Sequence, residues 1–476
     1  MTKAFVLMLS AMFLACARPR PIPNWQAKDF QKDGLFGISS DLAYEELLSK
    51  KKPSAIVVAV IDSGIDTTQE NLRPVLWSDT EDGSHGRNFI AEETGKEDFI
   101  YQLFYKKNEQ GYDRTFSDYK MHVARLQSFI NQLRQSKILI DQMLETIGKN
   151  NPSTDDFKKY TPRNDVDRWM LGLVLQRMPA YPDFATFKYA QLDKLLSNAT
   201  YHLSHGLKMD LPPADNVDTL TSADVSNDPL GLAGDPIMGA YHGTYIAGII
   251  AAVRNDGRGI NGIAANARIM ALKLSGGIRE MRNSDLAKAI RYAADHGARI
   301  INMSFGKTFS VHRESVDSAV KYAMSKGLLM IHSAGNDGMN LDIDSNAFYP
   351  SPKYRDGAMA QAWITVGASG YRDDSALAAP FSNFGRTAVD VFAPGVQITS
   401  TIPFNDTQTW DGTSQAGAVV SGLAALIWSY YPNLSAMQVK DIILRSVVKR
   451  EVLQSKCFTS GVVNAYKALQ LAADYK

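Results

Sequence analysis

The chain has 476 residues, 45% hydrophobic and 21% charged, with 34 Gly and 19 Pro. This composition excludes a disordered, collagen-like or disulfide-dense polypeptide and leaves room for a sizeable core. Its 51 basic residues stand against 50 acidic ones, a net charge of +1, so no global field draws the chain to nucleic acid or to an anionic membrane.

Met1 to Ala17 reads as an export signal: Lys3 is its short positive region, and Ala4 to Ala15 is an uncharged apolar run, shorter than the ~20 residues of a membrane span. Two processing routes are open. Ala15-Cys16-Ala17 fits a small-x-small cleavage pattern, with Cys16 lost. Alternatively, Phe13-Leu14-Ala15-Cys16 resembles a bacterial lipobox, so that the signal ends at residue 16 and Cys16 becomes the lipidated first residue. The expected location is the bacterial cell envelope (outer membrane or periplasm), held by that lipid anchor and by no transmembrane helix; the alternative is soluble secretion. On either route Cys457 is the one ordinary thiol of the mature chain, which excludes an intrachain disulfide. No motif surrounds Cys457, and it reads as a buried or idle thiol.

Residues 17–50 form an N-terminal extension containing Pro19, Pro21 and Pro23, then a short amphipathic stretch through Tyr44, Leu47 and Leu48. The main domain is expected over residues 51–476. It opens with Ala55 to Ile61, an unbroken apolar run rich in β-branched residues, the pattern of a strand covered on both faces. Glu97 to His205 differs in texture. Val123, Leu126, Ile130, Leu133, Ile140, Leu144 and Ile147 follow a three-four apolar spacing, broken at Lys137, and predict a helix. Val166 to Arg177 and Phe184 to Leu196 predict two more. Residues 97–205 are therefore a helical insertion: an accessory packing element, a substrate gate or a partner site. A loop rich in Gly, Pro and Asp follows from Asp215 to Asp235.

Beyond it, strands are predicted at Arg268–Leu274, Ile300–Ser304, Leu328–Ser333 and Trp363–Gly367. Helices are predicted at Asn283–His296 and Val311–Lys326, with Gly297 and Gly327 at their C-terminal caps. Such alternation defines an α/β fold with a mainly parallel sheet flanked by helices. Ser414 to Tyr431 is uncharged and of nearly membrane-spanning length, but its Gly417, Ser421, Gly422 and alanines suit close packing in a buried helix.

Three segments carry chemistry together. Val60-Ile61-Asp62-Ser63-Gly64 ends a buried strand on a carboxylate, which demands a partner. Tyr241-His242-Gly243-Thr244 places a His, and Asp411-Gly412-Thr413-Ser414 a Ser, at the starts of apolar helices. A neutral Ser is a poor nucleophile without a base. His242 supplies one, and Asp62 can fix its tautomer and stabilise the imidazolium. A strand end and two helix starts meet at one edge of an open α/β sheet, where such folds place their sites. The start of the helix at Ser414 also offers free backbone N–H groups to an oxyanion.

In the order Asp62, His242, Ser414, these segments resemble the subtilisin-like serine peptidases, the subtilases. His332-Ser333-Ala334-Gly335-Asn336 is similar to the family's S-A-G-N stretch, which implies that Asn336 donates to the oxyanion. Asn302-Met303-Ser304-Phe305-Gly306 resembles the strand whose backbone pairs with substrate. The resemblance thus implies a serine endopeptidase acting on polypeptides, with Asp62, His242, Ser414 and Asn336 catalytic and Ser304, Phe305, Gly306, Ala334 and Gly335 substrate-binding. The chain departs from the family motifs at Tyr245, where a second His is usual, and at Gln415 and Ala418, where Met and Pro are usual. Trp25 to Leu48, Ser84 to Phe89 and the lipobox together resemble exported lipoprotein subtilases of the Bacteroidetes type. The chemistry requires no cofactor. Structural calcium is common in the family, and two acidic groups are candidates for it: Asp215, Asp218, Asp224, Asp228 and Asp235, and then Asp337, Asp342 and Asp344. Neither fits a calcium-loop pattern. The sequence leaves the oligomeric state open.

Overall fold

The computed structural model describes residues 22–89, 112–178, 183–193, 196, 240–274, 283–307, 310 and 313–475. The expectations placed on Met1–Ala17 with Cys16, on the ends of the insertion and on the acidic residues from Asp215 to Asp235 lie outside the described residues. The chain divides into two compact units, one within Glu93–Asn216 and the other built from Arg20–Glu92 and Val217–Lys476.

The larger unit is organised by a nine-stranded sheet. In chain order its strands are β1 (Ile56–Asp62), β2 (Gly86–Asn88), β3 (Ala267–Lys273), β4 (Ile300–Met303), β5 (Leu329–Ser333), β6 (Trp363–Ser369) and β7 (Val391–Pro394). A two-stranded hairpin of β8 (Ile398–Ile402) and β9 (Asp406–Trp410) stands apart. The short strands β10 (Val448–Lys449) and β11 (Gly461–Val462) complete the sheet. The sheet order is β10-β11-β7-β6-β5-β4-β1-β3-β2, parallel throughout except for the β10–β11 pair. This is the expected α/β architecture.

β1 explains why its sequence is apolar without alternation. Val58 and Val60 feed the core on one face of the sheet, and Ala59 and Ile61 feed the core on the other. The first core is closed by the helices Tyr241–Ala251, Thr413–Tyr430, Ala436–Arg445 and Ala465–Asp474, the second by Asn283–Asp295 and Glu314–Ser325. Gly297 and Gly327 take φ of 81° and 82° just past two of these helices, the left-handed cap that glycine adopts without a Cβ penalty. The helix Thr413–Tyr430 is buried nearly end to end. Among the described residues no helix is long and apolar enough to cross a membrane.

The N-terminal extension is packed into this same unit. Trp25, Ala27, Ile38, Ala43 and Leu48 are buried in its larger core. Trp25 Nε1 donates to the Val396 carbonyl at 3.0 Å. The Tyr44 hydroxyl donates to Ile263 O at 3.1 Å and accepts from Ala265 N at 2.9 Å. At the other end of the chain, Ala465 N donates to Ile38 O at 2.6 Å and Asn464 Nδ2 to Ser39 Oγ at 2.8 Å. Residues 22–48 thus strap the sheet to the final helix.

The described residues of the smaller unit are mostly helical. Tyr112–Ile147 forms one 36-residue helix, followed by Thr154–Lys158, Asp165–Arg177 and Phe184–Lys188. Ile130, Leu133 and Ile140 of the stripe are buried, and Leu133 and Ile140 join Phe157, Met170, Val174, Phe184 and Phe187 in a separate core. The side chains of Val123 and Leu126 lie outside the described residues. Lys137, the break in the stripe, ion-pairs with Asp141 at 3.2 Å and Asp193 at 3.5 Å. The third predicted helix is α-helical only to Lys188 and continues as a π-helical turn over Tyr189–Asp193.

The strap generates a prediction. Trp25 is 1% exposed, so Trp25→Ala removes a large buried ring and should destabilise the larger unit by about 3–5 kcal/mol. Denaturant unfolding measures this, and a change within about 0.5 kcal/mol, the scale of an ordinary surface substitution, would show that the strap is dispensable.

Candidate active site

Asp62 is the last residue of β1, and His242 and Ser414 are each the second residue of a helix. The close approach between β1 and the helix Tyr241–Ala251 depends on Gly243: a Cβ there would lie 2.0 Å from the Gly64 carbonyl oxygen. The contact is then pinned by polar groups. Gly243 N donates to Ser63 Oγ at 3.2 Å, and Asp66 N donates to Thr244 Oγ1 at 2.8 Å. His-Gly-Thr is thus the imidazole, the space to bring it in and the hydroxyl that fastens it.

Asp62 is 4% exposed. Its carboxylate accepts from His242 Nδ1, at 2.7 Å and 2.9 Å to its two oxygens, and from Ser63 N at 2.7 Å. With Nδ1–H held by the carboxylate, Nε2 is the ring's free lone pair. Desolvation is the largest influence on His242 and pulls its pKa down, but the charge of Asp62 and its hydrogen bond together outweigh it. The net shift is upward from 6.5.

Ser414 is 8% exposed. Its Oγ donates to the Ser304 carbonyl at 3.0 Å, and Ser304 Oγ donates back to the Ser414 carbonyl at 3.1 Å. Asn302 supports this exchange: its Nδ2 donates to Ser304 Oγ at 3.0 Å and its Oδ1 accepts from Ser421 Oγ at 2.8 Å. Among the described residues no hydrogen bond joins Ser414 to His242; bonds of this kind are often long without substrate and tighten when it binds.

Asn336 follows the end of β5 and is exposed. Its Oδ1 accepts from Thr413 N at 2.8 Å and from Thr413 Oγ1 at 3.0 Å, and Gly335 N lies 3.1 Å from the same hydroxyl. Two donors on Oδ1 fix the orientation of the amide and leave Nδ2 as its donor. The Ser414 N–H lies in the first turn of its helix, where backbone donors have no intrahelical partner. Sequence reasoning assigns Thr413 no role, although the triplet Gly-Thr-Ser contains it.

Ser304, Phe305 and Gly306 continue from β4, and Ala334 and Gly335 from β5, so the residues assigned to substrate line two adjacent strand ends. His332, 2% exposed, donates from Nε2 to the Phe305 carbonyl at 2.7 Å. Burial pulls its pKa down to about 4, so it stays neutral and holds the Phe305 turn. The family departures are accommodated by packing. Tyr245 stacks on Trp410 with ring centroids 4.5 Å apart, and its hydroxyl bonds to the Ile398 carbonyl and accepts from Trp410 N at 3.1 Å. Gln415 is buried, with Oε1 lacking a partner among the described residues.

Of the calcium candidates, Asp337, Asp342 and Asp344 are described. Asp342 Oδ1 accepts from Thr387 N, Thr387 Oγ1 and Ala388 N at 2.6–3.0 Å. Among the described residues no group of three or more His, Cys, Asp or Glu side chains is placed to hold a metal ion. Cys457 is buried, and burial pushes its thiol pKa up, away from reactivity.

The fold and these strand ends are those of a known family. The model of the Subtilase family matches residues 53–466, and the chain belongs to that family. It is 39% identical over 235 residues to the thermophilic serine proteinase of Bacillus sp. (strain AK1), an alignment covering 49% of this chain and 53% of the relative. It is 35% identical, also over 235 residues, to thermitase of Thermoactinomyces vulgaris, covering 49% and 77%. Subtilisin-like protease 1 of Plasmodium vivax is 30% identical over 255 residues, covering 51% and 40%. The chain therefore spans about half or less of the length of several curated relatives. In fold it is similar to a solved structure of proteases from Pseudoalteromonas arctica, at 18% identity and a TM-score of 0.53 over 95% of this chain and 100% of that one.

The electrostatics of His242 make a prediction with a definite sign. Asp62→Asn removes the charge that raises the pKa and leaves desolvation, so the imidazole pKa should fall below 6.5 instead of lying above it. An assigned imidazole NMR titration reads this directly. An unchanged pKa would mean that Asp62 does not govern His242.

Proposed function

We propose that the chain is a serine endopeptidase that hydrolyses peptide bonds through an acyl-enzyme. The observation that carries this reading is the Asp62–His242 pair, with both carboxylate oxygens within 2.9 Å of Nδ1, set at the same sheet edge as a serine whose neighbour Thr413 pins Asn336. Ser414 Oγ attacks the scissile carbonyl carbon as its proton passes to His242 Nε2, and Asp62 stabilises the imidazolium that forms. The carbonyl oxygen, now negative, takes hydrogen bonds from Asn336 Nδ2 and the Ser414 N–H. His242 returns the proton to the leaving amine as the C–N bond breaks; water then hydrolyses the ester by the same relay in reverse. The base must be neutral, and its pKa is raised above 6.5, so the acid limb of kcat/KM belongs above that pH. Polypeptides are the substrates, and the chemistry uses no cofactor.

The location belongs to the same reading. Cys16 after Phe13-Leu14-Ala15 supports an exported, lipid-anchored protein of the bacterial cell envelope, like lipoprotein subtilases of the Bacteroidetes type. One acyl chain anchors only marginally, so stable attachment needs several chains on the processed N-terminus.

Two experiments test these assignments. A fluorophosphonate probe should label the wild type, and Ser414→Ala should abolish both labelling and peptide hydrolysis while unfolding remains cooperative. Undiminished turnover in the folded variant would remove Ser414 as nucleophile. Separately, Cys16→Ala should move the protein from the membrane to the soluble fraction with hydrolysis retained, and a wild-type mature N-terminus at Arg18 without lipid would establish soluble secretion instead.

A further inference from the structure

The crevice between the ends of β4 and β5 is occupied by a ring that no sequence motif marks. A Cβ built on Gly306 would lie 2.1 Å from Phe348 Cε1 and 2.3 Å from Cζ; one built on Gly335 would lie 2.4 Å from Asn383 Nδ2 and 3.1 Å from Phe348 Cζ. Each strand end therefore presents a bare glycine to the same phenyl ring. Gly335 has φ of +100° and would be glycine for its backbone alone, but Gly306 is not among the glycines of positive φ. What requires a missing side chain at Gly306 is the ring.

Phe348 is held where it is. The residue after it, Tyr349, exchanges two backbone hydrogen bonds with Lys307, at 2.9 Å and 2.8 Å, which ties this loop to the end of β4 in both directions. The His332 ring, itself fixed by the Phe305 carbonyl, lies 5.7 Å away between centroids. Ordinary core packing does not account for the position. Phe348 is only half-buried and belongs to none of the four hydrophobic clusters.

The ring's place can be related to a reacting peptide. The carbonyl carbon must come within bonding distance of Ser414 Oγ, which lies 3.0 Å from the Ser304 carbonyl, with its oxygen toward Asn336. On the resemblance that assigns Ser304–Gly306 and Ala334–Gly335 to substrate, the residue that owns that carbonyl sits across these two strand ends. The Phe348 ring lies against Gly306 and Gly335 of those same strand ends, in the way of a side chain directed between them. We propose that Phe348 is a specificity-determining residue that limits the side chain on the acyl side of the scissile bond to small groups, glycine and alanine above all, and turns aromatic residues away. This rests on the peptidase reading and adds a substrate class to it.

The test compares peptide p-nitroanilides that differ only in Ala or Phe at the acyl-side residue, on the full chain. For the wild type, kcat/KM should favour Ala by about tenfold or more, and Phe348→Ala should shift the Phe-to-Ala ratio toward Phe by about tenfold or more, the range open to steric discrimination in a pocket. Phe348→Leu, a milder change should the alanine variant fold poorly, should shift the ratio in the same direction by less. A wild type that labels with the fluorophosphonate yet cleaves after Phe as readily as after Ala overturns the size limit and leaves the peptidase reading standing, as does an unmoved ratio in a folded variant. A folded wild type that neither labels nor cleaves overturns the peptidase reading and the size limit with it.

Discussion

A carboxylate left at the end of a buried central strand must be given hydrogen bonds or it costs the fold several kcal/mol. Asp62 is in that position, and much of the sheet's C-terminal edge answers it. His242 supplies the nearest donor and Ser63 N a second. For the imidazole to arrive, the helix Tyr241–Ala251 must begin almost in contact with the β1 loop, which only Gly243 permits against the Gly64 carbonyl. The Ser63 and Thr244 hydroxyls then lock that approach. A single burial problem thereby fixes a strand end, a helix start and the tautomer of a ring.

The other half of the site solves a different problem, the unsatisfied donors at the start of a buried helix. Thr413 N is taken by Asn336 Oδ1, so the cap of the helix Thr413–Tyr430 comes from the strand end next door instead of from its own N-cap, Gly412. That borrowed cap does two things at once. It satisfies the helix, and it fixes the orientation of the Asn336 amide. The reciprocal bonds between Ser304 and Ser414 bind β4 to the same turn.

Sequence periodicity reached most elements that had to satisfy two cores or one long stripe, but missed β7, whose Val391 and Ala393 join one core and Phe392 another. β1 and β3 to β6 were legible because their residues are apolar on both faces, and Tyr112–Ile147 because its apolar spacing is repeated over several turns, whereas the helices Ala436–Arg445 and Ala465–Asp474 were not read. It did not reach β10 and β11, which pair over two residues each, or the hairpin β8–β9, whose Thr-Ser-Thr and Thr-Gln-Thr cores show no apolar alternation. The strap was opaque for another reason: Trp25, Phe36 and Ile38 are buried one at a time along an irregular path, and irregular paths have no period. At the site, Asp62, His242, Ser414 and Asn336 could be named from motifs and are found on adjoining strand and helix ends. The bond from Ser414 to Ser304, the cap from Asn336 and the ring of Phe348 depend on side-chain direction and on a loop without a motif, and could not be read in advance.

The strap also sets an order of events. The Ser39–Asn464 hydrogen bond joins residues 425 apart in sequence. Closing so long a loop adds only modest entropy, since the cost grows with the logarithm of its length, but contacts of such separation form slowly. During synthesis, Trp25 and Ile38 emerge with most of their packing partners still unmade. The clasp can shut only after the final helix has arrived. Assembly of the sheet edge at Asp62 and closure of the clasp between Ser39 and Asn464 are in this way separated in time.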